Sequence, residues 1–392
     1  MKIAYITMQF PSPSETFASH DVVALKKIGM DISVFSMRSQ HVLHDKMLKE
    51  RALEDIPLCA SNSKKVLAGV IEIFKSSCLF LSTLKWILLN DIKKPQHCIR
   101  LIALMPISFY ILKQLKKLQP DVVHLFWGHY PSVVGFLLKK RLPHVKLSMF
   151  LGAYDLEYAL GVSRSLAQKA DWIFTHAYAN EKSLRHLGIE EDKIHVVHRG
   201  TCAKEHLKIL EGIKKENHLW IVAGRLIPLK RFEMAIDIFG DFSKNIDNSK
   251  MLVCGDGELK EVLKTQVTMM RLENRVEFKG HISQHLLLQY MAKSDVLLLL
   301  SSRERLPNVV KEAMLVGCIC IVSDTPGIHE LIEDGKTGFI IKNGQYDSIP
   351  QLVMSLTQTK KEQMREEAKK FILENFDVED LMKKYVQIWR QS

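Results

Sequence analysis

The 392-residue sequence lacks any uninterrupted apolar run of the about 18 residues that a membrane span needs, the nearest approach being 101–112. An integral membrane protein is therefore not expected. Its seven cysteines, at 59, 78, 98, 202, 254, 318 and 320, show no metal-ligand spacing, and several fall inside expected strands or helices. They read as reduced core residues of a cytosolic protein, not as a zinc site or a disulfide framework. No Asp-x-Asp pair occurs, which removes the usual carboxylate pair for holding a divalent ion against a diphosphate. There is no internal repeat and no low-complexity tract, so solenoids and disordered arrays are set aside. The apolar start at 2–7 ends at Gln9 and Pro11 without a small-residue cleavage site, and reads as a first strand instead of a secretory signal.

What is present is a soluble composition, 47% hydrophobic and 25% charged, in a chain longer than one hydrophobic core usually serves. Two domains are expected. The charge is uneven: residues 51–150 hold 15 Lys+Arg against 5 Asp+Glu, a local +10 within a chain of +11. Apolar and basic residues interleave over 66–89 and again over 105–118, as in helices lying on an anionic membrane surface. An ordinary amphipathic helix with a solvated basic face produces the same pattern. No RNP-type aromatic motif, zinc finger or recognition helix accompanies the charge, so nucleic acid is not an expected partner.

Strand and helix signals alternate through both halves. In the first, strands are expected at 3–7 and 31–36 and near Val122, Leu147, Ile173 and Val196, with a helix over 19–28 closed by Gly29 and a helix-rich basic segment over 41–118. The polar stretch 201–217 breaks the periodicity and reads as a linker. Alternation restarts at 218–223, then 251–254, 276–279, 295–300 and 318–322, with helices between. Such alternation implies parallel βαβ connections. The expected architecture is two Rossmann-like, doubly wound α/β domains facing a cleft: 1–205, 206–376, and a final amphipathic helix in 377–392 that crosses back to the first domain.

The most informative block is Ser302-Arg-Glu304-Arg-Leu-Pro307-Asn-Val-Val-Lys-Glu312, set between an apolar strand and a helix that Gly317 stops. Its loop and helix N-terminus belong at the carboxyl end of a parallel sheet, where open α/β folds bind ligands. Free N–H groups there favour a phosphate, and Glu304 and Glu312 can accept bonds from sugar hydroxyls. Two solvated surface glutamates are the plain alternative. A second block, Gly224-Arg225-Leu-Ile-Pro-Leu-Lys230-Arg231, follows a strand and delivers two cations to one loop, which suits a diphosphate leaving group without a metal. Gly255-Asp-Gly257 reads as a tight turn and helix cap.

These blocks, together with Phe10-Pro-Ser-Pro-Ser-Glu-Thr-Phe17 and Gly327-Ile-His-Glu-Leu-Ile-Glu-Asp-Gly-Lys-Thr-Gly338, resemble the retaining nucleotide-sugar glycosyltransferases of group 1 (family 4), which have the GT-B fold. Relatives with the Ser-Glu-Thr-Phe turn work on exopolysaccharide or lipopolysaccharide. The resemblance implies that Arg225 and Lys230 grip the diphosphate, Glu312 bonds the ribose, and Glu304 faces the sugar. It also implies that the Leu306-Pro307-Asn308 turn offers backbone N–H groups, and that the base is selected around Gly280-His281-Ile282. The co-substrate is then a nucleoside-diphosphate sugar, with no metal cofactor, and the acceptor is lipid-linked or a saccharide. Peripheral attachment of a cytoplasmic enzyme to the inner face of the membrane through 51–150 follows.

Two positions depart from the family pattern. Arg305 stands where many relatives have Gly, and Leu151-Gly-Ala-Tyr-Asp155 lacks the histidine of a His-Gly-x-Asp-like turn. Candidates for that histidine's role are His129, in a Gly- and Pro-bounded loop, and His124, with Asp155 nearby. Glu15 and Asp155 are further candidates for contacting the acceptor or donor sugar. A nucleotide-sugar epimerase of the same architecture and a non-catalytic nucleotide- or glycan-binding homologue stay open as alternatives.

Overall fold

The computed structural model describes every residue except Ser14, Ile209, Glu211 and Ser392. Ser14 of the Phe10-to-Phe17 motif and two positions of the expected linker thus lie outside the described residues.

The chain divides into two compact units, Met1–Gly200 with Val378–Ser392, and Thr201–Asp377. The first is built on β1 (Lys2–Thr7), β2 (Asp31–Ser36), β3 (Leu58–Ala60), β4 (Val122–Phe126), β5 (Lys146–Phe150), β6 (Trp172–Thr175) and β7 (Ile194–Val196). They pair in parallel in the order β3-β2-β1-β4-β5-β6-β7, with Ile3 beside Ile32 on one side and Val122 on the other. The second unit uses β8 (Leu219–Ala223), β9 (Lys250–Cys254), β10 (Val276–Gly280), β11 (Val296–Leu299), β12 (Ile319–Ser323) and β13 (Phe339–Ile341), in the order β10-β9-β8-β11-β12-β13. Every residue of β4, β8, β11 and β12 is buried. Helices cover both faces of a parallel sheet, so its central strands are written as continuous apolar runs.

Local chemistry sets the helix ends that matter. In Asn308–Leu315, Pro307 is the N-cap in an extended conformation, where its missing N–H costs no helical hydrogen bond. At the other end Gly317, at φ +77°, lets its N–H reach Met314 O and the next N–H reach Ala313 O. That double closure needs a left-handed residue. The foot of β11 is pinned by Asp295, whose buried carboxylate accepts from Lys361 at 2.7 Å and from Arg365.

Three expectations differ from the structure. The stretch read as linker contains a helix, Ala203–Lys208. The helix expected from Ser19 begins at Thr16 and ends at Lys27. The three-residue strands β3 and β13, at outer positions of their sheets, had no counterpart in the reading. The last helix, Val378–Arg390, belongs to the first unit: Tyr385 stacks on Phe174 with centroids 3.9 Å apart, and Trp389 Nε1 donates to Ser148 Oγ at 3.0 Å.

Candidate active site

Each sheet reverses its winding once, between β1 and β4 in the first unit and between β8 and β11 in the second. Loops leaving the carboxyl ends of two such strands diverge and open a crevice. In the second unit those loops are 224–231, after β8, and 300–307, after β11. They meet directly. Ser302 N–H donates to Leu229 O at 2.9 Å, and the Lys230 ammonium donates to the Glu304 carboxylate. The two side chains are 18% and 17% exposed, so the pair is partly screened from water but reachable. Arg225 lies exposed in the same loop, with Leu306 buried and Arg305 half-buried beside Glu304.

The turn after β9 shapes the loop that carries Arg225. Gly224 N–H donates to Cys254 O, Leu226 N–H to Asp256 O, and Leu259 N–H to Leu226 O. Gly255 sits at φ +147°, and a Cβ there would stand 1.8 Å from Gly224 O. The backbones are in contact, which is why the position requires glycine. Gly255 N–H also donates to Gly280 O at 2.8 Å, tying in the segment that leads to exposed His281 and half-buried Ile282.

Glu312, in the second turn of the helix that Pro307 caps, is 8% exposed. Its carboxylate accepts from Gln284 Nε2 at 2.6 Å. Burial raises its pKa to about 7, against the Gln284 hydrogen bond and the Lys311 charge, which lower it. Near neutral pH this carboxyl can therefore both donate and accept. Gln284 was not singled out from the sequence. The only signal was Ser283, whose side chain caps the helix Gln284–Lys293 and so places Gln284 at its first position. Also missed were Ser301 Oγ and Thr325 Oγ1, just beyond the carboxyl ends of β11 and β12, both buried with no hydrogen-bond partner.

In the first unit the corresponding loops carry Glu15, after β1, and 127–131, after β4. Trp127 Nε1 donates to Glu15 Oε1 at 3.0 Å, and burial raises the Glu15 pKa. His129 Nδ1 lies 3.1 Å from Asp155 Oδ1; the imidazole is 21% exposed and the carboxylate 1%. Asp155 Oδ1 also accepts from Gly128 N–H at 2.9 Å, and Oδ2 from Gly152 N–H at 3.0 Å. Both oxygens are engaged and buried, which corrects the expectation of a direct sugar contact: Asp155 orients His129 and clamps two loops. His124 is likewise internal. It bonds Ser148 Oγ at 2.9 Å, and burial lowers its pKa to about 3, so it stays a neutral core residue. Behind these loops Arg199 stacks on Phe150 at 4.0 Å, Phe17 at 4.3 Å and Phe126 at 4.4 Å, and donates to Asp21.

Comparison with known proteins adds four findings. Residues 204–371 match the family model described as Glycosyl transferases group 1. The chain is 24% identical over 379 residues to the amylovoran biosynthesis glycosyltransferase AmsK of Erwinia amylovora, covering 91% of each. It is 27% identical over 288 residues to the UDP-Gal:alpha-D-GlcNAc-diphosphoundecaprenol alpha-1,3-galactosyltransferase of Escherichia coli, covering 67% of this chain and 73% of that one. Among solved structures, HepE of Anabaena in complex with UDP aligns with TM-score 0.73 over 99% of each chain at 17% identity.

Proposed function

On the premise that this chain has the GT-B fold and that its second unit is a group 1 glycosyl transferase domain, we propose that it moves a sugar, of hexosyl type, from a nucleoside-diphosphate donor to a lipid-linked or saccharide acceptor in cell-envelope polysaccharide synthesis. The observation that carries this reading is the Lys230–Glu304 pair at the winding reversal of the second sheet. A diphosphate entering there competes for the ammonium, and the freed carboxylate turns to the hydroxyls of the attached sugar. Arg225 adds a second cation in the same loop, so charge developing on the departing diphosphate meets fixed positive groups. Glu312 accepts from, or donates to, the ribose hydroxyls.

The transfer proceeds with retention. Both oxygens of Asp155 are engaged by backbone N–H groups, and Glu304, once released from Lys230, is taken up by the sugar hydroxyls, which leaves neither as a ready nucleophile. The departing phosphate takes the acceptor proton on the same face. Two cations and the lack of an Asp-x-Asp pair support a reaction without a divalent metal. The Escherichia coli relative, whose named acceptor is a diphosphoundecaprenol-linked sugar, supports a lipid-linked acceptor and a protein working at the inner face of a membrane.

The test begins with thermal shifts against UDP-, GDP- and ADP-sugars. Ligand at about a hundred times its dissociation constant adds roughly 2.7 kcal/mol. Transfer to a saccharide acceptor is then followed with the donor that shifts, with and without EDTA. Stabilisation by a donor but no turnover would identify a binding homologue, and acceptor-free conversion of the donor an epimerase.

A further inference from the structure

Helix Ser77–Asp91 divides cleanly into two faces. Leu79, Thr83, Trp86 and Ile87 are buried in the first unit, where Trp86 stacks on Phe136 with centroids 4.3 Å apart and donates to Ser165 Oγ. The opposite face shows Leu81, Lys85, Leu88 and Leu89, and continues past the helix end to Ile92; Leu81 is 61% exposed, Leu89 72% and Ile92 65%. In the next helix, Pro95–Ala103, Ile99 is 67% exposed while Cys98 and Leu101 are buried. Single exposed leucines are ordinary, but a run of them at helical spacing marks an interaction surface.

Along this stretch of the chain the exposed charges are of one sign. Between Lys75 and Asp121 the sole acidic residue is Asp91, which is buried and accepts from Gly161 N–H and Val162 N–H at 2.8 Å each. Lys85, Lys93 and Arg100 are exposed among the apolar side chains. Two such faces repel one another, which disfavours a second copy as the occupant. An anionic bilayer satisfies both components, since headgroup charge meets the lysines while leucines enter the acyl boundary. The helix has 15 residues and buries its other side in the protein, and no single helix among the described residues is long and apolar enough to cross a membrane. It lies on the surface.

We propose that the face formed by Leu81, Lys85, Leu89, Ile92, Lys93 and Ile99 is the surface with which this protein docks on an anionic lipid bilayer. Its placement serves the acceptor side of the site, a point that rests on the transfer reaction proposed above. His97 Nδ1 is 3.0 Å from Tyr130 Oη, and Arg100 Nη1 donates to the same oxygen at 3.3 Å, so the helix that shows Ile99 outward holds on its other side the residue next to His129. Lys94, the N-cap of the same helix, donates from Nζ to Tyr158 O at 2.6 Å and so ties in the end of the helix Ala153–Tyr158 that follows β5. A headgroup standing out of a bilayer on this face arrives beside the His129 loop.

The test is cosedimentation of the full chain with neutral phosphatidylcholine vesicles and with vesicles containing phosphatidylglycerol. The wild type is expected to bind the anionic vesicles only, and less as salt rises. Lys85→Glu with Lys93→Glu should lower partitioning roughly fivefold or more per lysine, and Leu81→Gln with Leu89→Gln should lower it without changing salt sensitivity. Both variants change exposed positions, and should keep wild-type circular dichroism, melting temperature and transfer to a water-soluble acceptor. Wild-type failure to bind, unchanged binding in both variants, or a wild-type dimer that the variants dissociate in sedimentation equilibrium would overturn the proposal. Vesicle binding that persists when no donor is turned over would instead count against the reaction, leaving the docking face standing.

Discussion

The Lys230 ammonium donates to the Glu304 carboxylate across 74 positions of sequence, with each side chain more than four-fifths buried. Removing either partner strands a charge in a partly dry site. Lys230→Met and Glu304→Gln are each expected to lower kcat/KM for transfer by about 10²–10³. The double variant should lose less than the product of the two, because contacting groups are not additive. Steady-state kinetics of the four proteins checks this, and strictly multiplicative losses would show that the two groups act independently.

The Glu312 carboxyl gives a pH signature. Its pKa rises from the ordinary 4.5 to about 7 on folding, because burial penalises the charged form. Between those values the folded protein holds a proton that the unfolded chain has released, so stability falls as pH rises through this window and levels off above it. The full effect is roughly 3 kcal/mol. Glu312→Gln stays neutral at every pH, so its stability relative to wild type should increase between pH 5 and pH 8. Urea unfolding at both pH values measures it, and a pH-independent difference would refute the assignment. Donor affinity should fall in the same variant at both.

Gly255→Ala should disturb the second unit strongly, since the new Cβ would sit 1.8 Å from Gly224 O and both backbones would have to move. A loss of roughly 3 kcal/mol or more is expected, from backbone strain at a fixed turn. Gly335→Ala, at φ +73° with nothing within 4 Å, faces only the conformational penalty, on the order of 1 kcal/mol. Thermal melts compare the two. Donor affinity separates them further, because only Gly255 shapes the loop that carries Arg225.

His129 and Asp155 should part company when substituted. His129→Ala removes a partly exposed ring and is expected to reduce transfer while leaving the melting temperature close to wild type. Asp155→Asn turns an amide N–H toward a backbone N–H and leaves a buried donor unsatisfied, at about 1–3 kcal/mol. It should lower both stability and kcat. A stable but inactive Asp155→Asn would return Asp155 to a direct chemical role.

Strands such as β8, β11 and β12 are legible because a strand buried on both faces is a short apolar run between turn residues. Three residues carry no period: the outer strands β3 and β13 were not read, although β7, equally short, was. The placement of the candidate site was legible where it is local: Glu304, Pro307 and Glu312 share one strand-loop-helix unit. The Lys230–Glu304 contact is not local. It exists because β8 and β11 are neighbours, and β9 and β10 intervene in the chain. The Gln284–Glu312 bond was hidden in the same way. Asp155 misled because its residue type fits a sugar contact, while its burial depends on backbone N–H groups from two separate loops.

The helix Val378–Arg390 has a consequence for biosynthesis. Tyr385 and Trp389 cover Phe174, His124 and Ser148 of the first sheet, yet in the chain they come only after the whole of the second unit. The second unit is contiguous, whereas the amino-terminal unit waits until all of the second has been synthesised to acquire its final layer. A fragment ending at Gly200 leaves those aromatic rings uncovered, so the half of the protein made first is the half finished last.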